Sequence, residues 1–164
     1  MLNIGIVGVG AISQKAYLPV MRSIGNVKWY MCTRNQEVLN RESKLLGRCI
    51  PCNTIEELLQ FPLDGVFIHV STKAHFEVAK QFLEKGIPVY IDKPVAPSYE
   101  KTLELYQLAK RHDTFIMAGF NRRFAPKVEV LKSVEDKKRI IAEKNCTVVS
   151  QDTRTRVFDV FIHP

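Results

Sequence analysis

Gly8-Val9-Gly10-Ala11-Ile12-Ser13 follows directly on Leu2-Asn3-Ile4-Gly5-Ile6-Val7, a β-type apolar run, and leads into a helical pattern from about Ala11 to Ile24. A strand, a glycine-rich turn and a helix in that order open a βαβ unit. Gly8 suits the tight bend, Gly10 leaves bare backbone for a ligand to approach, and a small third residue lets the helix pack on the strand. That third place holds Ser13, where Gly or Ala is usual, and Ser is still small. The free N–H groups and dipole of a helix start suit the pyrophosphate of a dinucleotide. Gly8, Gly10, Ala11, Ile12 and Ser13 are therefore candidate cofactor-binding residues. Pro19 should bend that helix or split it.

The alternation continues outward. Strands are expected at Val27 to Thr33, Arg48 to Pro51, Gly65 to Val70, Pro88 to Ile91 and Thr114 to Ala118. Between them lie helical segments at Gln36 to Leu46, ended by Gly47; Ile55 to Gln60, capped by Thr54 with Glu57 completing a capping box; Ala74 to Lys85, ended by Gly86; and Ser98 to Arg111. The Gly65 to Val70 run is almost wholly apolar, as a central strand covered on both faces should be. Strands alternating with helices give an α/β fold, here a Rossmann doubly wound parallel sheet over residues 1–121. The character then changes: Ala125 to Val134 reads as helix, Ile140 to Val149 as strand and Arg154 to His163 as helix. Val157-Phe158-Asp159-Val160-Phe161-Ile162 would leave an apolar surface without a partner. The expectation is a truncated start of an α+β substrate domain over residues 122–164, continuing beyond Pro164.

Apolar residues make up 46% and charged residues 25% of the 164, a globular composition. No apolar run approaches the ~20 residues that span a bilayer, and no secretory leader is visible, so no membrane partner and a cytoplasmic location are expected. The net charge of +7 is scattered, and its densest run, Lys132 to Lys144, also holds Glu135, Asp136 and Glu143. Nucleic-acid binding rests on net charge alone and is not expected. Of the four cysteines, Cys49-x-x-Cys52 is the one close pair. A zinc site would want a second pair, so reduced thiols in and after a short strand, and no metal, are expected.

Candidate chemistry sits at strand ends. After the second strand comes Thr33-Arg34-Asn35, with no carboxylate before Glu37. An acid there binds a ribose 2′-hydroxyl, whereas an Arg accommodates a 2′-phosphate, so NADP is preferred over NAD. Thr33 can donate to phosphate, Arg34 supplies a charged fork, and Asn35 suits the start of the next helix. Ser71-Thr72-Lys73-Ala74-His75 follows the fourth strand, where ligands bind in such sheets. Ser71, Thr72 and His75 are candidate cofactor contacts, with helix capping as the alternative. Asp92-Lys93-Pro94 follows the fifth strand; a Lys there is placed to polarise a carbonyl or relay a proton, and Asp92 to restrain it or merely finish the strand.

The glycine turn, Ser71 to His75, Asp92-Lys93-Pro94 and Gly119-Phe120-Asn121-Arg122-Arg123-Phe124, in that order, closely resemble the Gfo/Idh/MocA oxidoreductases, from residue 2 to the last. The resemblance implies an N-terminal NAD(P)-binding Rossmann domain and a C-terminal domain for substrate and oligomerisation, hence a homo-oligomer when full length. Lys93 matches the lysine of the family's Glu-Lys-Pro motif, with Asp92 in place of the glutamate. Asp159 and His163 match its Asp-x-x-x-His element, a spacing that puts both on one helical face. His163 or Lys93 would then move the hydroxyl proton while hydride passes between nicotinamide and a secondary alcohol, typically of a sugar or cyclitol. Asn121 is a candidate cofactor contact, and Arg123 a substrate contact beside Lys93 and His163, or a brace at the domain junction. The alternative is a non-catalytic NAD(P)-binding regulator, against which intact Lys93, Asp159 and His163 argue.

Overall fold

The computed structural model describes residues 1–141 and 143. Strands β1 (Leu2–Val7), β2 (Val27–Cys32), β3 (Cys49–Cys52), β4 (Gly65–Ile68), β5 (Val89–Asp92) and β6 (Ile116–Gly119) form one sheet in the order β3-β2-β1-β4-β5-β6. The β1–β2, β1–β4, β2–β3 and β4–β5 pairs are parallel. This is the doubly wound Rossmann order, and the chain reverses direction across the sheet between β1 and β4. A crevice therefore opens beyond the carboxyl ends of those two strands.

Helices α1 (Leu18–Met21), α2 (Gln36–Leu46), α3 (Ile55–Leu58), α4 (Thr72–Leu83) and α5 (Tyr99–Arg111) connect the strands. Period-two alternation sends successive side chains to opposite faces of the sheet. One face buries Ile6, Trp29 and Met31 with Leu18, Met21 and Leu39. The other buries Val66, Ile68, Val89 and Ile91 with Phe82, Leu83 and Leu105. Cys52 lies in the second cluster while Cys49 packs against the first, so the pair faces opposite sides of the sheet and cannot share one metal ion. Burial raises the Cys49 thiol to about 12 and the Cys52 thiol to about 11, which keeps both protonated.

Local capping explains the boundaries that the sequence predicts best. Asn35 caps α2 by accepting from the Val38 N–H at 3.1 Å, and Ser98 caps α5 by accepting from the Lys101 N–H at 3.4 Å. At α3 the Thr54 hydroxyl accepts from the Glu57 N–H at 3.1 Å, while the Glu57 carboxylate reaches back one residue further than expected, to the Asn53 N–H at 2.7 Å. The helix after the glycine turn differs from expectation. Its Ser13–Tyr17 segment is π-helical, and α1, with Pro19 in its first turn, stops at Met21 rather than Ile24. Proline lacks the N–H that would bond one turn back, so the wide turn ahead of it absorbs the missing donor. The fourth strand ends at Ile68 rather than Val70, and α4 starts at Thr72, two residues before the expected Ala74.

The chain divides into two compact units after Ala118. In the second, a 3-10 turn (Asn121–Phe124) leads into α6 (Pro126–Lys132), where Lys132 pairs with Glu129 at 2.6 Å. The expected strand up to Val149 and helix up to His163, with Asp159 and His163, lie outside the described residues apart from the first positions of that strand. Among the described residues no helix is long and apolar enough to cross a membrane.

Candidate functional site

The turn after β1 is built by backbone constraints. Gly8 adopts φ +87°, a left-handed value that favours glycine, and its N–H donates to the Cys32 carbonyl at 2.8 Å. A Cβ at Gly8 would lie 2.8 Å from the Val70 nitrogen and 2.9 Å from the His69 carbonyl, so the turn fits against the end of β4 only without a side chain. Gly10 is different: a Cβ there would meet nothing within 4 Å. Val9 between them is tied on both sides, its N–H donating to the Thr33 hydroxyl at 3.4 Å and its carbonyl accepting from the Gln14 amide at 2.9 Å. Gln14 in turn accepts from Arg41 at 2.8 Å. Arg41 also donates to the buried Glu42, which Arg22 grips at 2.8 Å. This chain of polar contacts ties the turn to α1 and α2.

A cavity of about 410 Å³ opens beside the turn, lined by Gly8, Gly10, Thr33, Arg34 and Ser71 among others. The β1–β2 register, with Val7 opposite Cys32, is what sets Thr33 and Arg34 beside the glycines. Thr33 accepts from Val9 through its oxygen and keeps its own proton to donate; Arg34 is exposed at the edge. Ser71 is the N-cap residue of α4, yet its hydroxyl makes no cap bond. Thr72, half-buried, is the first residue of that helix. The bare backbone at Gly10, the donor at Thr33 and the cation at Arg34 fit an anionic dinucleotide. Ala11 and Ile12 are exposed where the helix begins.

Two expected contacts need correction. Ser13 takes the packing role expected of the small third residue, but it is 0% exposed and its hydroxyl has no hydrogen-bond partner among the described residues, so its side chain is not placed to contact a cofactor. Burying an unbonded hydroxyl costs about 1 kcal/mol or more, so Ser13→Ala should stabilise the protein by about 1 kcal/mol in urea unfolding without weakening dinucleotide binding. His75, 1% exposed, lies behind the cavity lining. Its ring spans two carbonyls, Pro94 at 2.6 Å from Nδ1 and Val70 at 3.1 Å from Nε2. It therefore joins the end of β4 to the loop after β5 instead of touching cofactor.

That loop carries Lys93, half-buried, followed by Pro94 across a cis peptide bond. Asp92, the last residue of β5, is itself held by partners the sequence did not disclose. The Tyr17 hydroxyl donates to Asp92 Oδ1 at 2.7 Å, and His69 Nδ1 lies 2.9 Å from Oδ2. Because the single Tyr17 proton goes to Asp92, the Tyr90 hydroxyl, 3.0 Å away, donates to Tyr17. Burial pushes the Asp92 carboxyl up, but the hydrogen bond and charge of His69 and the Tyr17 hydroxyl outweigh it and hold the carboxyl below its ordinary range. The Tyr17 ring lies against His69 at a tilt of 39°, with centroids 4.2 Å apart. One signal for His69 was legible: a lone polar side chain in an otherwise apolar central run. Asn121 and Arg123 are exposed in the 3-10 turn of the second unit, where the Arg123 guanidinium lies 5.4 Å from the Phe124 ring centroid.

Comparison with known proteins agrees with this fold. YceM of Salmonella typhimurium, named as an oxidoreductase, is 34% identical over 169 residues, covering 99% of this chain and 53% of its own length. An inositol 2-dehydrogenase of Corynebacterium glutamicum is 34% identical over 73 residues, covering 44% of this chain and 22% of its own. The crystal structure of a Gfo/Idh/MocA family oxidoreductase from Vibrio cholerae superposes with a TM-score of 0.84 at 34% identity, covering 100% of this chain and 55% of that one. The chain thus spans about half the length of YceM and of the Vibrio cholerae protein. The family described as an oxidoreductase family with an NAD-binding Rossmann fold matches residues 2–120, and the chain belongs to it, the Gfo/Idh/MocA oxidoreductases.

Proposed function

We propose that this chain forms the cofactor-binding half of an NADP-preferring oxidoreductase acting on a secondary alcohol or carbonyl of a sugar, cyclitol or similar small molecule. The observation that carries the reading is the single cavity shared by the Gly8–Gly10 turn and Thr33-Arg34. A nicotinamide dinucleotide bound there supplies the hydride chemistry. The protein's part is to hold and to protonate. Gly10 lets the diphosphate approach the backbone, the Thr33 hydroxyl and Arg34 guanidinium meet a 2′-phosphate, and Ser71 offers a further donor at the end of β4. The Lys93 ammonium gives or takes the proton of the reacting hydroxyl; the family resemblance assigns a proton-transfer role to His163 with Asp159 as well, a cofactor contact to Asn121 and a substrate contact to Arg123. The cyclitol class is supported by the inositol 2-dehydrogenase among the relatives.

Titration calorimetry with both cofactors tests this. NADPH should bind at least tenfold more tightly than NADH, and Arg34→Ala should remove about tenfold of the NADPH affinity while changing NADH by less than twofold. The magnitude follows from one charge-assisted contact at an exposed position, about 1.4 kcal/mol. Tighter binding of NADH would overturn the NADP assignment.

A further inference from the structure

Lys93 stands between two anchors on opposite faces of the sheet. On one face Asp92 is held by Tyr17, from the π-helical turn after the glycines, and by His69, from the end of β4. On the other, Pro94 gives its carbonyl to His75 at 2.6 Å. The first anchor is the more constrained. His69 faces a carboxylate that only accepts, so its Nδ1 carries a proton, while its Nε2 is buried without a hydrogen-bond partner among the described residues, beside the Tyr17, Phe67 and Tyr90 rings. Both Asp92 oxygens are thereby fixed, and a carboxylate held at both oxygens cannot rotate away from the peptide it precedes.

We propose that Tyr17 and His69 are positioning residues, which grip the two oxygens of Asp92 and so set the direction in which Lys93 leaves the end of β5. The helical segment that carries Tyr17 follows directly on the glycine turn, so the element that would receive the diphosphate at its start also sets the lysine. The proposal rests on the reading that Lys93 serves the nicotinamide end of the site.

The test is protection of Lys93 from acetylation by an N-hydroxysuccinimide ester, followed by mass spectrometry of the full chain with and without saturating NADPH. In the wild type, NADPH should slow labelling of Lys93 at least fivefold while leaving the exposed Lys73 unchanged. In Tyr17→Phe and His69→Leu, NADPH should bind within threefold of the wild-type Kd, yet protection of Lys93 should fall below twofold. His69→Asn, which restores an N–H donor toward Asp92, should recover it. Tyr17→Phe removes one hydroxyl only and decides the matter if His69→Leu does not fold. Undiminished protection in folded Tyr17→Phe overturns the proposal, as does a parallel loss of NADPH affinity, which marks a merely structural role. Failure of NADPH to bind or to protect the wild type counts instead against the functional reading.

Discussion

Gly8→Ala should cost about 3 kcal/mol of stability or more, whereas Gly10→Ala should leave the fold intact and weaken dinucleotide binding at least tenfold. The two glycines stand two residues apart and meet different surroundings. At Gly8 a methyl group would sit at φ +87° and within 2.9 Å of the backbone of His69 and Val70. A left-handed non-glycine residue costs about 1–3 kcal/mol, and forcing β4 away from the turn adds a similar amount. Backbone atoms have no rotamer by which to yield. At Gly10 the added methyl meets no protein atom within 4 Å, and no left-handed φ is required. The substitution reduces the freedom of the unfolded chain and should stabilise by up to about 1 kcal/mol. The same methyl projects where the diphosphate is proposed to lie, so NADPH affinity should fall while the urea midpoint holds or rises. Urea unfolding and calorimetry on both variants separate these effects. Loss of stability in Gly10→Ala, or unchanged NADPH affinity, would show that the turn serves folding alone.

What could be read from the sequence was local, and what could not was distant. Asn35, Gly47 and Ser98 mark helix ends through contacts a few residues away, and α2 and α5 fall where those residues place them. Thr33 and Arg34 could be placed beside the glycines because the βαβ rule fixes the second strand beside the first, and the observed register sets them there. Ser13 stands where a small residue lets the helix pack, but its complete burial depends on how the helix turns. The π-helical segment shifts residue phase in a way that no apolar periodicity announces. Tyr17 and Asp92 meet across 75 residues, and His69 and Asp92 across 23. His75 finds Pro94 across 19 residues, and its sequence context is that of any residue in a first helical turn. The candidate cofactor site was thus legible because backbone motif and strand order define it. The support beneath Lys93 was not, because it is made of side chains from three separate strand and helix ends.

Asp92→Ala should destabilise the protein by about 2–4 kcal/mol at neutral pH, and the loss should shrink in acid. Removing the carboxylate leaves the Tyr17 hydroxyl and the His69 Nδ1–H without their acceptor in a place where the His69 side chain is 0% and the Asp92 side chain 16% exposed. Each abandoned donor costs about 1–3 kcal/mol, and the two share one acceptor, so the losses do not add in full. The pH dependence follows from the direction in which the folded state moves Asp92. Its carboxyl titrates lower when folded than its unfolded value of about 3.9. A depressed folded value gives stability that is complete above the unfolded value and is lost as pH falls through the folded one. The gap between wild type and Asp92→Ala should therefore stay level from pH 7 to about pH 5 and narrow below about pH 4. Urea unfolding at pH 7, 5, 4 and 3 measures it directly. An equal gap at pH 3 and pH 7 would mean that Asp92 contributes through packing and neutral hydrogen bonds, and the charged grip assigned to Tyr17 and His69 would lose its physical basis. Protonated Asp92 still accepts from one partner, so a residual gap in acid is expected and reads the neutral part of the same contact.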